Sequence, residues 1–167
     1  MGLDSFSESR LSEVHPMLAE KIRAMADALE AQGVSIRVTQ GLRTWDEQAA
    51  LYAKGRTAPG PKVTNASAGT SWHNYGLAVD VVPMTPLGPD WNTSHPVWQA
   101  IITTGEAQGL VAGAKWRSFP DYPHFQLTGT LPVSPDEGVR EAYEQGGVTG
   151  VWTAAGLALP SDGTVSA

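Results

Sequence analysis

Apolar residues Leu11, Val14, Leu18, Ile22, Met25 and Leu29 recur at spacings of three and four, which predicts an amphipathic helix. His15-Pro16 marks its entrance, because proline is tolerated in a first turn, and Gly33 supplies its stop. Val34 to Thr39 alternates apolar and polar residues, the pattern of a half-buried strand. Thr44-x-x-Glu47 is a capping box that opens a second helix carrying Leu51 and Tyr52 and ending at Gly55. Residues 55–69 are rich in Gly and Pro and lack periodicity; a loop of that length inside a compact domain is usually functional.

Leu77 to Val82 reads as a strand, and Ser94-His95-Pro96 opens a third helix through Trp98, Ile101 and Ile102 that Gly109 closes. His124 to Leu127 is another strand. Ser134-Pro135-Asp136-Glu137 starts a last helix, with Ser134 as N-cap, that runs to about Gln145. The sum is a small α+β fold: a mostly antiparallel sheet packed with helices. It occupies residues 1–147 as one domain, followed by a short C-terminal tail over 148–167 whose last residues, 160–167, are expected to be loose.

The chain has 167 residues, long enough to bury about 70% of its unfolded surface without a disulfide or metal to hold it. It has no Cys, which excludes thiol catalysis, iron–sulfur clusters and Cys-based zinc ribbons. Eleven Lys and Arg against 17 Asp and Glu leave a net charge of −6, which argues against nucleic acid or an anionic membrane as partner. Residues 1–10 lack a basic start and an apolar core, so no secretory signal is expected, and no stretch reaches the ~20 apolar residues of a membrane span. The expectation is a monomer that stays in the cytoplasm where it is made unless something else releases it.

Four histidines stand out individually. His15 and His95 precede prolines at helix starts, where capping explains them. Asp80 lies in A-V-D-V-V, a strand apolar on both faces, so its carboxylate needs neutralisation by Arg, Lys or a metal. A buried ion pair and a metal ligand both satisfy that need. His73 stands seven residues earlier, across Asn74-Tyr75-Gly76, a turn that lets imidazole and carboxylate converge. With one more donor they would form a three-ligand zinc site with its fourth position open to water. Asp121-Tyr122-Pro123-His124 offers that donor in His124, and a carboxylate three residues before it within reach of the water. A turn aspartate and a core histidine are the alternative there. H-E-x-x-H, G-x-S-x-G, P-loop and G-x-G-x-x-G patterns are absent.

Ser71-Trp72-His73-Asn74-Tyr75-Gly76-Leu77-Ala78-Val79-Asp80, with Asp121-Tyr122-Pro123-His124-Phe125, resembles the S-x-H-x-x-G-x-A-x-D and D/E-x-x-H motifs of VanY-like zinc peptidases. That family includes D-alanyl-D-alanine carboxypeptidases and L-alanyl-D-glutamate endopeptidases. Gln40-Gly41-Leu42-Arg43-Thr44, Glu47-Gln48, Leu51 to Thr57 and Val63 to Ala66 are similar to its phage endolysin branch. One departure is Gly113-Ala114-Lys115-Trp116, where that branch often has G-G-D-W.

The resemblance implies a zinc site in a central cleft, with His73, Asp80 and His124 as ligands and Asp121 as catalytic base. It implies that Arg43 steers a substrate carboxylate or carbonyl oxygen, a task its planar fork suits. Ser71, Tyr75 and Trp116, with Trp72, are candidates for the substrate-binding cleft wall. The implied function is hydrolysis of the L-alanyl-D-glutamate bond in the peptidoglycan stem peptide, without a separate wall-binding domain. The alternatives are a D-alanyl-D-alanine carboxypeptidase and a non-catalytic zinc-containing binder of wall peptides; Asp121 favours an enzyme, since a binder needs no base.

Overall fold

The computed structural model describes residues 2–159. Its first helix, α1 (Ser5–Leu11), is capped by Asp4, whose carboxylate accepts from the Ser7 amide at 2.8 Å. The apolar period beginning at Leu11 therefore spans two helices, not one. Helix α2 (Pro16–Glu30) restarts after residues 12–15, because Pro16 lacks the N–H that would carry a helix through it. His15 caps α2 by accepting from the Met17 amide at 3.0 Å, and His95 accepts likewise from the Val97 amide at 3.0 Å.

Strand β1 (Ser35–Gln40) leads to α3 (Trp45–Ala53), whose capping box is formed as expected by Thr44 and Glu47. A 3₁₀ turn at Trp72–Tyr75 feeds β2 (Ala78–Thr85), and Gly76 makes the corner with φ 69°, a left-handed conformation that suits glycine. The short β3 (Gly88–Pro89), helix α4 (Val97–Ala107), the short β4 (Val111–Ala112) and β5 (His124–Gln126) follow. The sheet order is β1-β2-β5-β4, with β3 also on β2, and every pairing is antiparallel. Helix α1 covers the outer edge of β1: Ser7 Oγ accepts from the Val38 amide and Arg10 Nε donates to the Thr39 carbonyl.

Two apolar clusters hold the sheet. Val79 and Val81 of β2 join the larger one with α2, α4 and Phe125, while Ala78 joins a smaller one with Trp72, Tyr75, Val139, Val151 and Ala155. Helix α5 (Glu137–Ala155) differs from expectation at both ends. Its cap is Asp136, not Ser134, with the Asp136 carboxylate accepting from the Val139 amide. It also continues past Gly147, which kinks it with φ 64° and ψ −157°, a backbone region essentially restricted to glycine. Residues 148–155, expected as tail, are thus packed helix: Val151 and Ala155 are buried and Trp152 Nε1 donates to the Tyr75 carbonyl at 2.7 Å. Residues 160–167, expected to be loose, lie outside the described residues.

Candidate metal centre

The sheet register places the first two site residues. Asp80 of β2 pairs directly with His124 of β5, and Gln40 of β1 stands on the other side of Asp80 after an irregularity between Val38 and Gln40. His73 arrives from the 3₁₀ turn, where Ser71 Oγ caps the His73 amide. His73 Nε2 lies 3.1 Å from Asp80 Oδ1, and His124 Nδ1 lies 3.8 Å from the same oxygen. One donor atom from each of the three residues falls within 4.8 Å of the others.

The far nitrogens of both rings face acceptors. His73 Nδ1 lies 2.9 Å from the Gly41 carbonyl, and His124 Nε2 lies 2.7 Å from Gln126 Oε1. In the neutral form of each ring the proton is drawn outward, which leaves a lone pair pointing at the cluster for a metal to use. Two imidazoles and a carboxylate, largely buried and converging on one point, fit a divalent metal of the zinc type.

Burial works against ionisation of Asp80, but His73, through charge and a hydrogen bond, together with His124 and Arg43, outweighs it and holds the carboxyl at about 2. For His124, burial and the neighbouring His73 push the imidazole down to about 4, so it is neutral and able to ligate at pH 7. Asp121, on the loop before β5, has Oδ2 4.0 Å from His124 Nδ1. Burial and the Asp80 charge raise it to about 6. A carboxyl poised there can take a proton and return it.

Arg43 reaches the same centre, with Nη2 3.7 Å from Asp80 Oδ2 and Nη1 donating to Gln48 Oε1 at 2.8 Å. Its own amide donates to the His73 carbonyl, and Asn74 Nδ2 donates to the Arg43 carbonyl, so the two segments are stitched together. These residues sit in a cleft of about 910 Å³ whose walls include residues 63–66, Trp116 to Phe119 and Val133 to Pro135. The aperiodic loop at 55–69 thus supplies one wall.

Of the expected wall residues, Ser71 and Trp116 line this cleft, Trp116 with its ring 4.8 Å from that of His124. Trp72 lines it too, and donates from Nε1 to the Val133 carbonyl. Tyr75 does not. It is 0% exposed among Trp45, Trp72 and Tyr143 and donates its hydroxyl to the Gly69 carbonyl, so the expected substrate contact is corrected to a packing role. Lys115, where the motif departs from the endolysin branch, pairs with Glu106 at 2.8 Å on α4 and is not part of the cleft wall.

Sequence reasoning passed over two buried glutamines at the centre, Gln48 and Gln126. The signal for Gln126 was available: it follows His124 by two in a strand, which puts both on one face.

A peptidase family model described as D-alanyl-D-alanine carboxypeptidase matches residues 64–127, a span that holds His73, Asp80, Asp121 and His124. The chain is 32% identical over 124 residues to the peptidoglycan L-alanyl-D-glutamate endopeptidase CwlK of Bacillus subtilis strain 168, covering 70% of this chain and 74% of that protein. It is similar to the crystal structure of the Serratia marcescens L-Ala D-Glu endopeptidase ChiX, with a TM-score of 0.55 and 29% identity over 74% of this chain and 87% of ChiX. The LD-carboxypeptidase LdcB shares the fold, with a TM-score of 0.54 and 21% identity over 80% of this chain and 71% of LdcB.

Proposed function

Because the chain belongs to the VanY-like, M15 family of peptidases, we propose that it is a zinc-dependent hydrolase cutting the L-alanyl-D-glutamate bond of the peptidoglycan stem peptide. The observation that carries this reading is the convergence of His73, Asp80 and His124 with a separate carboxylate, Asp121, beside them. The choice of bond is supported by two relatives, CwlK and ChiX, that bear that activity in their names.

His73, Asp80 and His124 would hold the metal. Zinc bound there supplies a Lewis acid and an acidified water. The Asp121 carboxylate would accept a proton from an attacking water and return it to the leaving amine, a task for which a carboxyl raised to about 6 suits better than an ordinary one. Arg43, held by Gln48, offers its remaining guanidinium donors to the scissile carbonyl or an adjacent carboxylate. Ser71, Trp72 and Trp116 flank the peptide in the cleft.

The likeness of residues 40–44, 47–48, 51–57 and 63–66 to endolysins supports a lytic enzyme, made in the cytoplasm and acting on the wall once the membrane is breached, and the proposal takes it to be a monomer. Among the described residues no helix is long and apolar enough to cross a membrane. Carboxypeptidase activity is the second reading, favoured by the description of the matching family model. Mass spectrometry of digested muropeptides separates the two. New D-Glu amino termini mark the endopeptidase, released D-Ala marks the carboxypeptidase, and an undigested wall refutes both.

A further inference from the structure

Gln126 is 1% exposed and lies on the same face of β5 as His124. Its Nε2 donates to the Val133 carbonyl at 3.0 Å, while its Oε1 lies 2.7 Å from His124 Nε2. The first contact orients the amide: a carbonyl can only accept, so the NH₂ end faces Val133 and the oxygen faces the imidazole. Val133 is itself anchored, since its carbonyl also accepts from Trp72 Nε1 at 2.9 Å. An acceptor at His124 Nε2 requires the ring proton there.

The opposite nitrogen faces a pull in the other direction. His124 Nδ1 lies 3.8 Å from Asp80 Oδ1 and 4.0 Å from Asp121 Oδ2. Without an acceptor at Nε2, a buried N–H would be left unpaired there, and the two carboxylates would draw the proton to Nδ1. A proton on Nδ1 occupies the lone pair that a metal needs. For His73 the matching acceptor is the Gly41 main-chain carbonyl, so only at His124 does a side chain make this choice.

We propose that Gln126 is a positioning residue of the metal centre: it holds the His124 ring proton on Nε2 and thereby keeps Nδ1 open as a ligand. The inference rests on the metal-centre reading and adds a residue that the ligand motifs do not contain.

Imidazole ¹⁵N NMR of the metal-free protein, with zinc affinity measured by chelator competition, tests it on wild type, Gln126→Leu and Gln126→Glu. Wild type should carry the His124 proton on Nε2. Gln126→Leu should move it to Nδ1 and weaken zinc binding by about 10–100-fold, the usual cost of losing an outer partner. Gln126→Glu keeps the acceptor at His124 while replacing the donor to Val133 with a second oxygen and adding a charge, so its tautomer should match wild type and its zinc affinity should stay above that of the Leu variant. An Nδ1 proton in wild type, or a Leu variant with wild-type tautomer and affinity, overturns the proposal. So does a Glu variant as weak as the Leu variant, which would make the Val133 anchor the relevant contact. If Gln126→Leu does not fold, the wild-type tautomer and the Glu variant decide. A wild type that binds no zinc at all overturns the metal-centre reading itself, a result distinct from zinc binding that ignores Gln126.

Discussion

Asp80 and His124 are directly opposed residues of the antiparallel β2–β5 ladder, with Oδ1 and Nδ1 3.8 Å apart. Two of the three proposed ligands are therefore set by sheet hydrogen bonding, and the sheet is backed by a core that does not include the site. Metal removal should abolish wall lysis while circular dichroism retains the folded spectrum. Asp80→Asn should weaken metal retention by well over the roughly 10–100-fold that an outer partner costs, measured as bound zinc per chain after dialysis.

Asp121→Asn keeps the size of the side chain but cannot take a proton. Turnover of the metal-loaded enzyme should fall by roughly 10²–10⁴ with zinc content unchanged. The variant should also reveal a cost of the base. Because the folded carboxyl is raised from 3.8 to about 6, its ionisation opposes folding above that range. Metal-free Asp121→Asn should melt higher than metal-free wild type at pH 7 and above. That advantage should shrink as pH falls from about 6 toward 3.8, where the wild-type carboxyl is protonated in both states. Equal melting temperatures at neutral pH would count against the raised carboxyl.

Gln48, 0% exposed, bridges Arg43 and the Ala66 carbonyl of the cleft-wall loop through its two amide atoms. Gln48→Leu should cost about 1–3 kcal/mol of stability by leaving Arg43 Nη1 unpaired. Activity should drop further than stability explains, by up to about 10²-fold, because a misplaced guanidinium no longer meets the substrate. Zinc affinity should hold. Steady-state kinetics beside zinc titration checks the separation.

Gly113 is where backbone meets site: a Cβ there would lie 2.7 Å from the Asp121 carbonyl and 3.0 Å from His124 Cβ. Gly113→Ala should push the Asp121–His124 segment outward, at about 1–3 kcal/mol of overpacking. Lysis should fall by at least tenfold, in line with about 10²-fold for a 1 Å displacement of a reacting group. Wild-type lysis rates in this variant would show that the segment relaxes freely.

His15 and His124 are both shifted down by burial, His124 to about 4. Above the unfolded value near 6.5 both are neutral in either state, and their contribution to stability is fully present. As pH falls below that, the unfolded chain takes up protons that the folded chain refuses, so stability declines until the folded values are reached. Urea unfolding of metal-free Asp121→Asn, which lacks the opposing contribution of that carboxyl, should show the decline between pH 7.5 and about 4.5. His15→Asn retains an acceptor for the Met17 amide and should flatten the slope.

Local chemistry determined much of this protein from sequence alone. The helix caps at His15 and Thr44, the strand bearing Asp80 and the corner at Gly76 each depend on a few consecutive residues, so they were legible without coordinates. The two ligand motifs were legible for the same reason, since each lies within ten residues of chain. What depends on distant partners was not. The extra helix α1 matters because it covers the edge of β1, and the helical residues past Gly147 matter because Trp152 meets the Tyr75 carbonyl; neither contact leaves a periodicity to read. Tyr75 looked like a cleft residue beside His73, but the 3₁₀ turn points neighbouring side chains in different directions and sends it into the core. Tertiary structure alone decided that Asp80 and His124 share a register and that Gly41 faces the outer nitrogen of the His73 imidazole. Both facts depend on pairing between segments more than 30 residues apart in the chain, and no local rule sets that pairing.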